Sequence, residues 1–250
     1  MMRYFIQFSY DGTAYHGWQV QPNAISVQQR LNEALSLLLR QNIETTGAGR
    51  TDTGVHAAMM VAHFDFQPQD GKVMPDLSAL ADKLNRILPP DIAVQEVRPV
   101  ADDAHARFDA VSRTYHYRVY TGKAPFLRHY ALRLHFMPDY EAMNRAAKVL
   151  LQTADFTSFS KLHTDAKTNI CRVTQARWVQ ESPICWRFEI TADRFLRNMV
   201  RAVVGTLLEV GRGKITEADF ERIVAQKNRC SAGESVAGNA LSLVEITYPY

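Results

Sequence analysis

Cysteine is scarce in this 250-residue chain. Its three cysteines, Cys171, Cys185 and Cys230, are odd in number and far apart. They fit neither a disulfide framework nor a zinc site, and buried thiols are expected. The eight histidines show no metal-ligand spacing, and no His-x-Glu with Cys-x-x-Cys occurs, so no metal is expected. Long apolar runs are absent too, which excludes a helical membrane span. The N-terminal Met1-Met2-Arg3-Tyr4-Phe5-Ile6 has no signal-peptide apolar region, and a cytoplasmic protein without membrane partners is expected. There is no low-complexity tract, no block of like charge and no linker rich in Gly, Pro or Ser. Cofactor signatures are also missing: no Gly-x-Gly-x-x-Gly after a strand, no Walker A sequence and no Gly-x-Ser-x-Gly elbow.

What is present describes an ordinary globular chain. Its apolar fraction is 46% and its charged fraction 22%, enough for one large domain or two small ones with a sizeable core. The net charge of +3 does not by itself announce a nucleic-acid binder. The kind of base points further, since 21 of the 29 basic residues are Arg and 8 are Lys. The planar guanidinium fork suits phosphates and base edges, and it stacks on aromatic rings.

Taken along the chain, residues 3–10 predict a strand with Tyr4, Ile6 and Phe8 on one face. Ser26 with Gln29 predicts a capping box opening a helix to about Arg40. Val27, Leu31, Ala34, Leu35, Leu38 and Leu39 form its apolar side. A short run at 43–46, a strand over 60–66, a helix over 76–88 stopped by Pro89-Pro90, and a strand over 92–97 follow. The second half repeats this grammar: a strand over 114–120, a helix over 139–152, paired strands over 172–179 and 186–191, helices from about 194 to 210 and from 216, and a last strand over 241–248. No residue-level repeat is visible, so any duplication is structural. The expectation is an α/β (α+β) protein of two similar subdomains, residues 1–101 and 102–250, whose strands form a mixed, largely antiparallel central sheet flanked by helices.

Two places concentrate chemistry. Gly47-Ala48-Gly49-Arg50-Thr51-Asp52-Thr53-Gly54-Val55-His56-Ala57 sets one carboxylate among three glycines, an arginine and a histidine. Such density predicts a sharply shaped loop. It is either a tight polar turn or a carboxylate aimed at a substrate. The second place is the helix expected from Arg194, which would align Arg194, Arg197 and Arg201 within about 60° of arc. That face is either solvated or a phosphate-binding surface. Tyr115, on the strand over 114–120, is either core or a stacking platform for a planar base.

Several blocks resemble the tRNA pseudouridine synthase A family. The loop Gly49-Arg50-Thr51-Asp52-Thr53-Gly54-Val55-His56-Ala57 is similar to its signature. The likeness continues through Tyr10-Asp11-Gly12-Thr13 with Gly17-Trp18-Gln19, His105-Ala106-Arg107-Phe108, Arg113-Thr114-Tyr115-His116-Tyr117, Asp155-Phe156-Thr157-Ser158-Phe159, and Met199-Val200-Arg201 with Val204-Gly205. The last family block reads Ala-Pro-x-x-Gly-Leu, whereas this chain has Ala237-Gly238-Asn239-Ala240-Leu241.

The resemblance implies the pseudouridine synthase fold, a homodimer, and an isomerase that needs no cofactor. Its substrate would be uridine at positions 38, 39 and 40 of the tRNA anticodon stem-loop. It implies Asp52 as the nucleophilic carboxylate, Tyr115 packing against the target base, Arg201 pairing with the aspartate, and Arg50 near the flipped-out nucleotide. Leu241 would hold the apolar position near the base. Arg194, Arg197, His56 and Arg107 are further candidates for RNA contact. A module that keeps the scaffold without catalysis, or a synthase aimed at another RNA, are the alternatives.

Overall fold

The computed structural model describes residues 2–68, 76–161 and 167–250; Met1, in the N-terminal stretch considered above, lies outside them. The chain separates into two compact units. The first runs to Val111 and includes Leu243–Tyr250; the second is Ser112–Ser242. The break therefore falls after Val111 rather than after residue 101, and the C-terminal residues return to the first unit. Local hydrogen bonds give the reason. The Val111 amide donates to Thr247 O, the Tyr248 hydroxyl to Ala106 O, and the Arg3 guanidinium to Ala104 O. The connection after residue 100 is thus tied to its own N-terminal and C-terminal neighbours.

In the first unit β1 (Met2–Tyr10), α1 (Val27–Leu39), β2 (Thr46–Gly47), β3 (His56–Phe66), α2 (Leu77–Ile87) and β4 (Ile92–Val100) follow in order. β1 pairs antiparallel with both β3 and β4, and β2 pairs with β3. Tyr4, Ile6 and Phe8 are buried as the alternation predicts, but Phe5 on the opposite face is buried too. Tyr248 and Tyr250 cover it, with ring centroids 5.2 and 6.3 Å away. α1 starts at Ser26, whose hydroxyl accepts from the Gln29 amide. Only this half of the expected capping box forms, because the Gln29 side chain donates to Glu33 instead.

The second unit holds β5 (Ser112–Thr121), β6 (Leu132–Leu134), α3 (Tyr140–Ala147), β7 (Val173–Ser182), β8 (Cys185–Ala192), α4 (Met199–Gly211), α5 (Glu217–Ala225) and the start of β9 (Leu241–Thr247). β8 pairs antiparallel with β5 and β7, and β6 lies parallel to β5. Tyr117, Val119, Phe188, Ile190 and Trp178 alternate onto one buried face. His116, Arg118, Arg187 and Glu189 take the other. Cys171 and Cys185 are buried as expected, whereas Cys230 is exposed.

The two units share a device that no sequence repeat announces. Asn85 of α2 clasps Val94 of β4, donating to its carbonyl at 2.8 Å and accepting from its amide at 2.7 Å. Asn144 of α3 clasps Trp178 of β7 in the same way, at 3.2 and 2.7 Å. Each asparagine satisfies both backbone groups of a strand residue that would otherwise need a further strand or water.

A titratable pair follows from the first unit's packing. His63 on β3 is 7% exposed, and its Nδ1 accepts from the Ala106 amide at 3.1 Å. The His105 ring lies edge-on at 4.6 Å. Burial first, then the neighbouring His105 and Arg3 charges, push His63 down to about 4. Such a histidine stays neutral in the fold and takes a proton on unfolding. Stability is therefore complete above about pH 6.5 and is lost as pH falls from there to about 4, with a slope of at most about 1.4 kcal/mol per pH unit for one proton. Replacing His63 with Asn, which keeps an acceptor, is expected to flatten this window in denaturant titrations at stepped pH. An unchanged slope would place the acid sensitivity elsewhere.

Candidate active site

The aspartate loop is the connection of a hairpin. β2 pairs Thr46 with His63 and Gly47 with Ala62, the Ala48 amide donates to Val61 O, and the chain rejoins the sheet at His56. Residues 49–55 are thereby presented at the end of two hydrogen-bonded strands. The Val55 amide donates to Asp52 O at 3.1 Å and closes a turn around the carboxylate residue. Asp52 is half-buried, with Arg50 and Thr53 exposed on either side. β3 starts at His56, four residues earlier than the run over 60–66 indicated, because the loop's last residues already pair with β1.

A second segment grips this loop from behind. The Trp18 amide donates to Thr51 O, the Gly54 amide to Tyr15 O, and the Tyr10 hydroxyl shares a 2.9 Å hydrogen bond with Thr51 Oγ1. Two glycines outside the loop permit the approach. A Cβ on Gly12 would sit 2.0 Å from Val55 O. A Cβ on Gly17 would sit 2.3 Å from Thr51 O, and Gly17 has φ of +91°, the left-handed region that side chains disfavour. Of the loop's own glycines only Gly54 has a positive φ. The gripping segment is anchored in turn by the Tyr15 hydroxyl, which donates to Asp91 Oδ1 at 2.6 Å. Burial and that aspartate push the Tyr15 hydroxyl well above the usual phenol range.

His56 has a place in this clamp. It is 5% exposed, and its Nδ1 accepts from the Gly12 amide at 3.0 Å. Asp11 Oδ1 lies 3.0 Å from the same nitrogen. The motif histidine thus fixes the two segments to each other. Arg107, by contrast, is exposed, with its guanidinium over the Phe108 ring.

The second unit carries the other candidates. Tyr115 lies on β5 opposite Ile190, buried, with Phe195 edge-on at 5.1 Å. Two residues along the same face, the Tyr117 hydroxyl donates to Ala237 O at 3.0 Å. Burial raises that hydroxyl far above its ordinary range. Arg201 donates from Nε to the adjacent carbonyl, Val236 O, at 2.7 Å, and its own carbonyl accepts from the Val236 amide. The chain over 233–237 is therefore strapped to α4. The Gly233 amide reaches Thr206 Oγ1, Asn198 reaches Ser235, and Gly205 leaves room for Glu234 O, 1.9 Å from where a Cβ would stand. Beyond the strap, residues 238–240 form a 3-10 turn and Leu241 is buried. The block without the family's Pro and Gly still forms an ordered turn that buries its leucine.

The three-arginine face is not formed. α4 begins at Met199, and Arg194 and Arg197 precede it. Asn198 takes φ of +67°, a left-handed conformation that cannot continue a helix backwards. Asp193 also accepts from the Arg172 and Arg194 amides and holds the preceding residues in a turn. Arg201 is thus the helical member, Arg194 is half-buried and Arg197 exposed. Reasoning from the sequence missed Gly12, Gly17 and the strap over 233–237. The first two had a signal, since they sit in short blocks of their own; the strap had none.

Among the described residues no group of three or more His, Cys, Asp or Glu could hold a metal ion, and no helix is long and apolar enough to cross a membrane.

Comparison with known proteins bears on what these groups do. A family model described as tRNA pseudouridine synthase matches residues 6–109 and 146–249. A tRNA pseudouridine synthase A of Bacteroides fragilis is 58% identical over 249 residues, covering 100% of this chain and 97% of the relative. One from Acetivibrio thermocellus is 40% identical over 241 residues, covering 96% of each chain. The Bacillus subtilis protein of the same name is 39% identical over 255 residues and 99% of each chain. Matched in both halves and along their full lengths by such relatives, this chain belongs to the tRNA pseudouridine synthase family and has its α/β fold.

Proposed function

We propose that this chain isomerises uridine to pseudouridine at positions 38, 39 and 40 of the tRNA anticodon stem-loop, with Asp52 as the nucleophile and no cofactor. The bond from C1′ to uracil N1 breaks, the base turns, and C1′ joins uracil C5. N1 gains a proton and C5 loses one, so the overall change is an isomerisation. A stacked base cannot make that rotation, and the target nucleotide must be flipped out first. The observation that carries the reading is the support given to Asp52. Its turn is presented by a hairpin and held from behind by a segment whose glycines are shaped to admit it. A merely polar turn has no need of such bracing, whereas a nucleophile needs a fixed position.

Tyr115 offers a planar ring for the detached base. Arg201 supplies the cation opposed to the carboxylate, and Leu241 an apolar wall. Arg50, exposed two residues before Asp52, takes the vacated space or a phosphate. Arg107, Arg194 and Arg197 are sites of RNA contact. The protein works as a homodimer in the cytoplasm. Chemical mapping of pseudouridine in a tRNA transcript bearing uridine at 38, 39 and 40 tests the assignment. Modification confined to other positions would overturn it.

Arg201 gives a sharper expectation. Replacing it with Lys keeps the charge but removes the Nε–H that donates to Val236 O. The point charge of lysine cannot hold both partners as the planar fork does. The turnover rate is expected to fall by about 10-fold or more, with tRNA affinity nearly unchanged. Equal rates for Arg201→Lys and wild type would show that the strap contributes nothing to catalysis.

A further inference from the structure

The segment after β5 is not used by any step above. From Ala110 to Pro138 the sequence has no Asp or Glu, yet Arg113, Arg118, Lys123, Arg128 and Arg133 recur at every fifth position. Arg113 and Arg118 are spoken for on β5, donating to Asp193 O and Glu181. Lys123, Arg128 and Arg133 are exposed beyond it, with His129 and His135.

This segment is built, not loose. Pro125–Leu127 forms a 3-10 turn with proline at its start. The Leu127 amide donates to Ala124 O, and the Tyr130 and Ala131 amides return to Leu127 O. Ala124 and Leu127 pack against a small core of Tyr120, Ala131 and Cys185, and β6 then pairs with β5. The anchored turn points Leu127 inward and Phe126 outward. Phe126 is 95% exposed, and Tyr130 and Met137 of the same segment are 44% and 71% exposed.

We propose that this loop is a second RNA contact, in which Phe126 stacks on an unpaired base of the bound tRNA while Lys123, Arg128 and Arg133 lie against neighbouring phosphates. An exposed aromatic ring on a fixed turn can be covered by RNA or by protein. Charge decides between them. Glu181, the carboxylate beside the small core, is already paired with Arg118 and Arg187, and an acid-free stretch with three exposed cations attracts a polyanion. Proteins that hold single-stranded nucleic acid combine such cations with aromatic rings on which bases stack. A symmetric contact with a second copy would set the same cations against one another. The inference rests on the proposed tRNA substrate, and it concerns residues distinct from those assigned to the chemistry.

The test compares wild type, Phe126→Ala, Phe126→Trp and Arg128→Ala. Binding of an unmodified tRNA transcript is measured by anisotropy at several salt concentrations, alongside sedimentation and the single-turnover rate at saturating enzyme. Phe126→Ala is expected to weaken binding by about 10-fold, as loss of one stacked base does, and Phe126→Trp to restore it. Arg128→Ala should lower the salt slope by about one. The saturated rate and the oligomeric state should not change. Wild-type affinity in Phe126→Ala, with wild type still forming pseudouridine, would overturn this inference alone. An altered oligomeric state in Phe126→Ala would assign the face to self-association and overturn it as well. A wild type that neither binds nor modifies tRNA would overturn the reading beneath it, and this one with it.

Discussion

Replacing Asp52 with asparagine is expected to reduce pseudouridine formation by about four orders of magnitude or more, the scale at which a lost nucleophile is felt. Asparagine matches the aspartate in shape, so the turn closed by the Val55 amide is retained, since that bond uses the Asp52 backbone carbonyl. What disappears is the negative charge and the oxygen proposed to attack. Asp52 is half-buried, and denaturant titration of the variant checks that the fold is kept. Removing a carboxylate from an RNA-binding surface takes away repulsion, so tRNA affinity should hold or tighten slightly. Single-turnover kinetics with enzyme in excess separates the two effects. A variant that binds normally and retains more than a hundredth of the wild-type rate would mean that Asp52 is not the nucleophile.

Gly17→Ala is the second large effect, and it acts on Asp52 from a distance in sequence. The added methyl would stand 2.3 Å from Thr51 O in a backbone with φ of +91°. Left-handed backbone costs an L-residue about 1–2 kcal/mol, and the steric conflict adds to it. A loss of roughly 2–4 kcal/mol in denaturant titration is expected. If the fold absorbs the methyl by moving residues 51–52, a displacement of about 1 Å costs on the order of 100-fold in rate. Activity measured on the folded fraction should therefore fall more than stability accounts for. Gly49→Ala is the control, because a Cβ there meets nothing within 4 Å and its φ is not positive. It should change neither property. A fully active Gly17→Ala would show that the clamp does not position Asp52.

Much of the architecture was legible where one physical rule acts alone. The buried faces Tyr4, Ile6, Phe8 of β1 and Tyr115, Tyr117, Val119 of β5, the helix starts at Ser26 and Thr216, and the proline stop after α2 follow from local chemistry. The errors fall where a tertiary contact overrides the local pattern. An apolar spacing that fits a helix from residue 194 is interrupted at Asn198, whose side chain bonds Ser235, 37 residues away. Gln29 is a local exception, its side chain donating to Glu33 one turn further along α1. His56 looked available beside Arg50 and Asp52, yet it is buried by Gly12, 44 residues away. In the candidate site, the residue types were legible in their motifs, while the bracing behind them was not. Backbone carbonyls such as Thr51, Val236 and Ala237 do that bracing, and a carbonyl leaves no mark in a sequence.

The central claim is that a braced carboxylate moves a uracil from N1 to C5 attachment without releasing it. Tritium placed at C5 of the target uridines measures this directly, because the new bond to C5 sends that hydrogen to water. With chelator-treated wild-type protein, one tritium is expected in solvent for each target uridine, all uracil stays in the tRNA chain, and Asp52→Asn releases none. Free uracil in the supernatant, or equal tritium release by wild type and Asp52→Asn, would contradict the account.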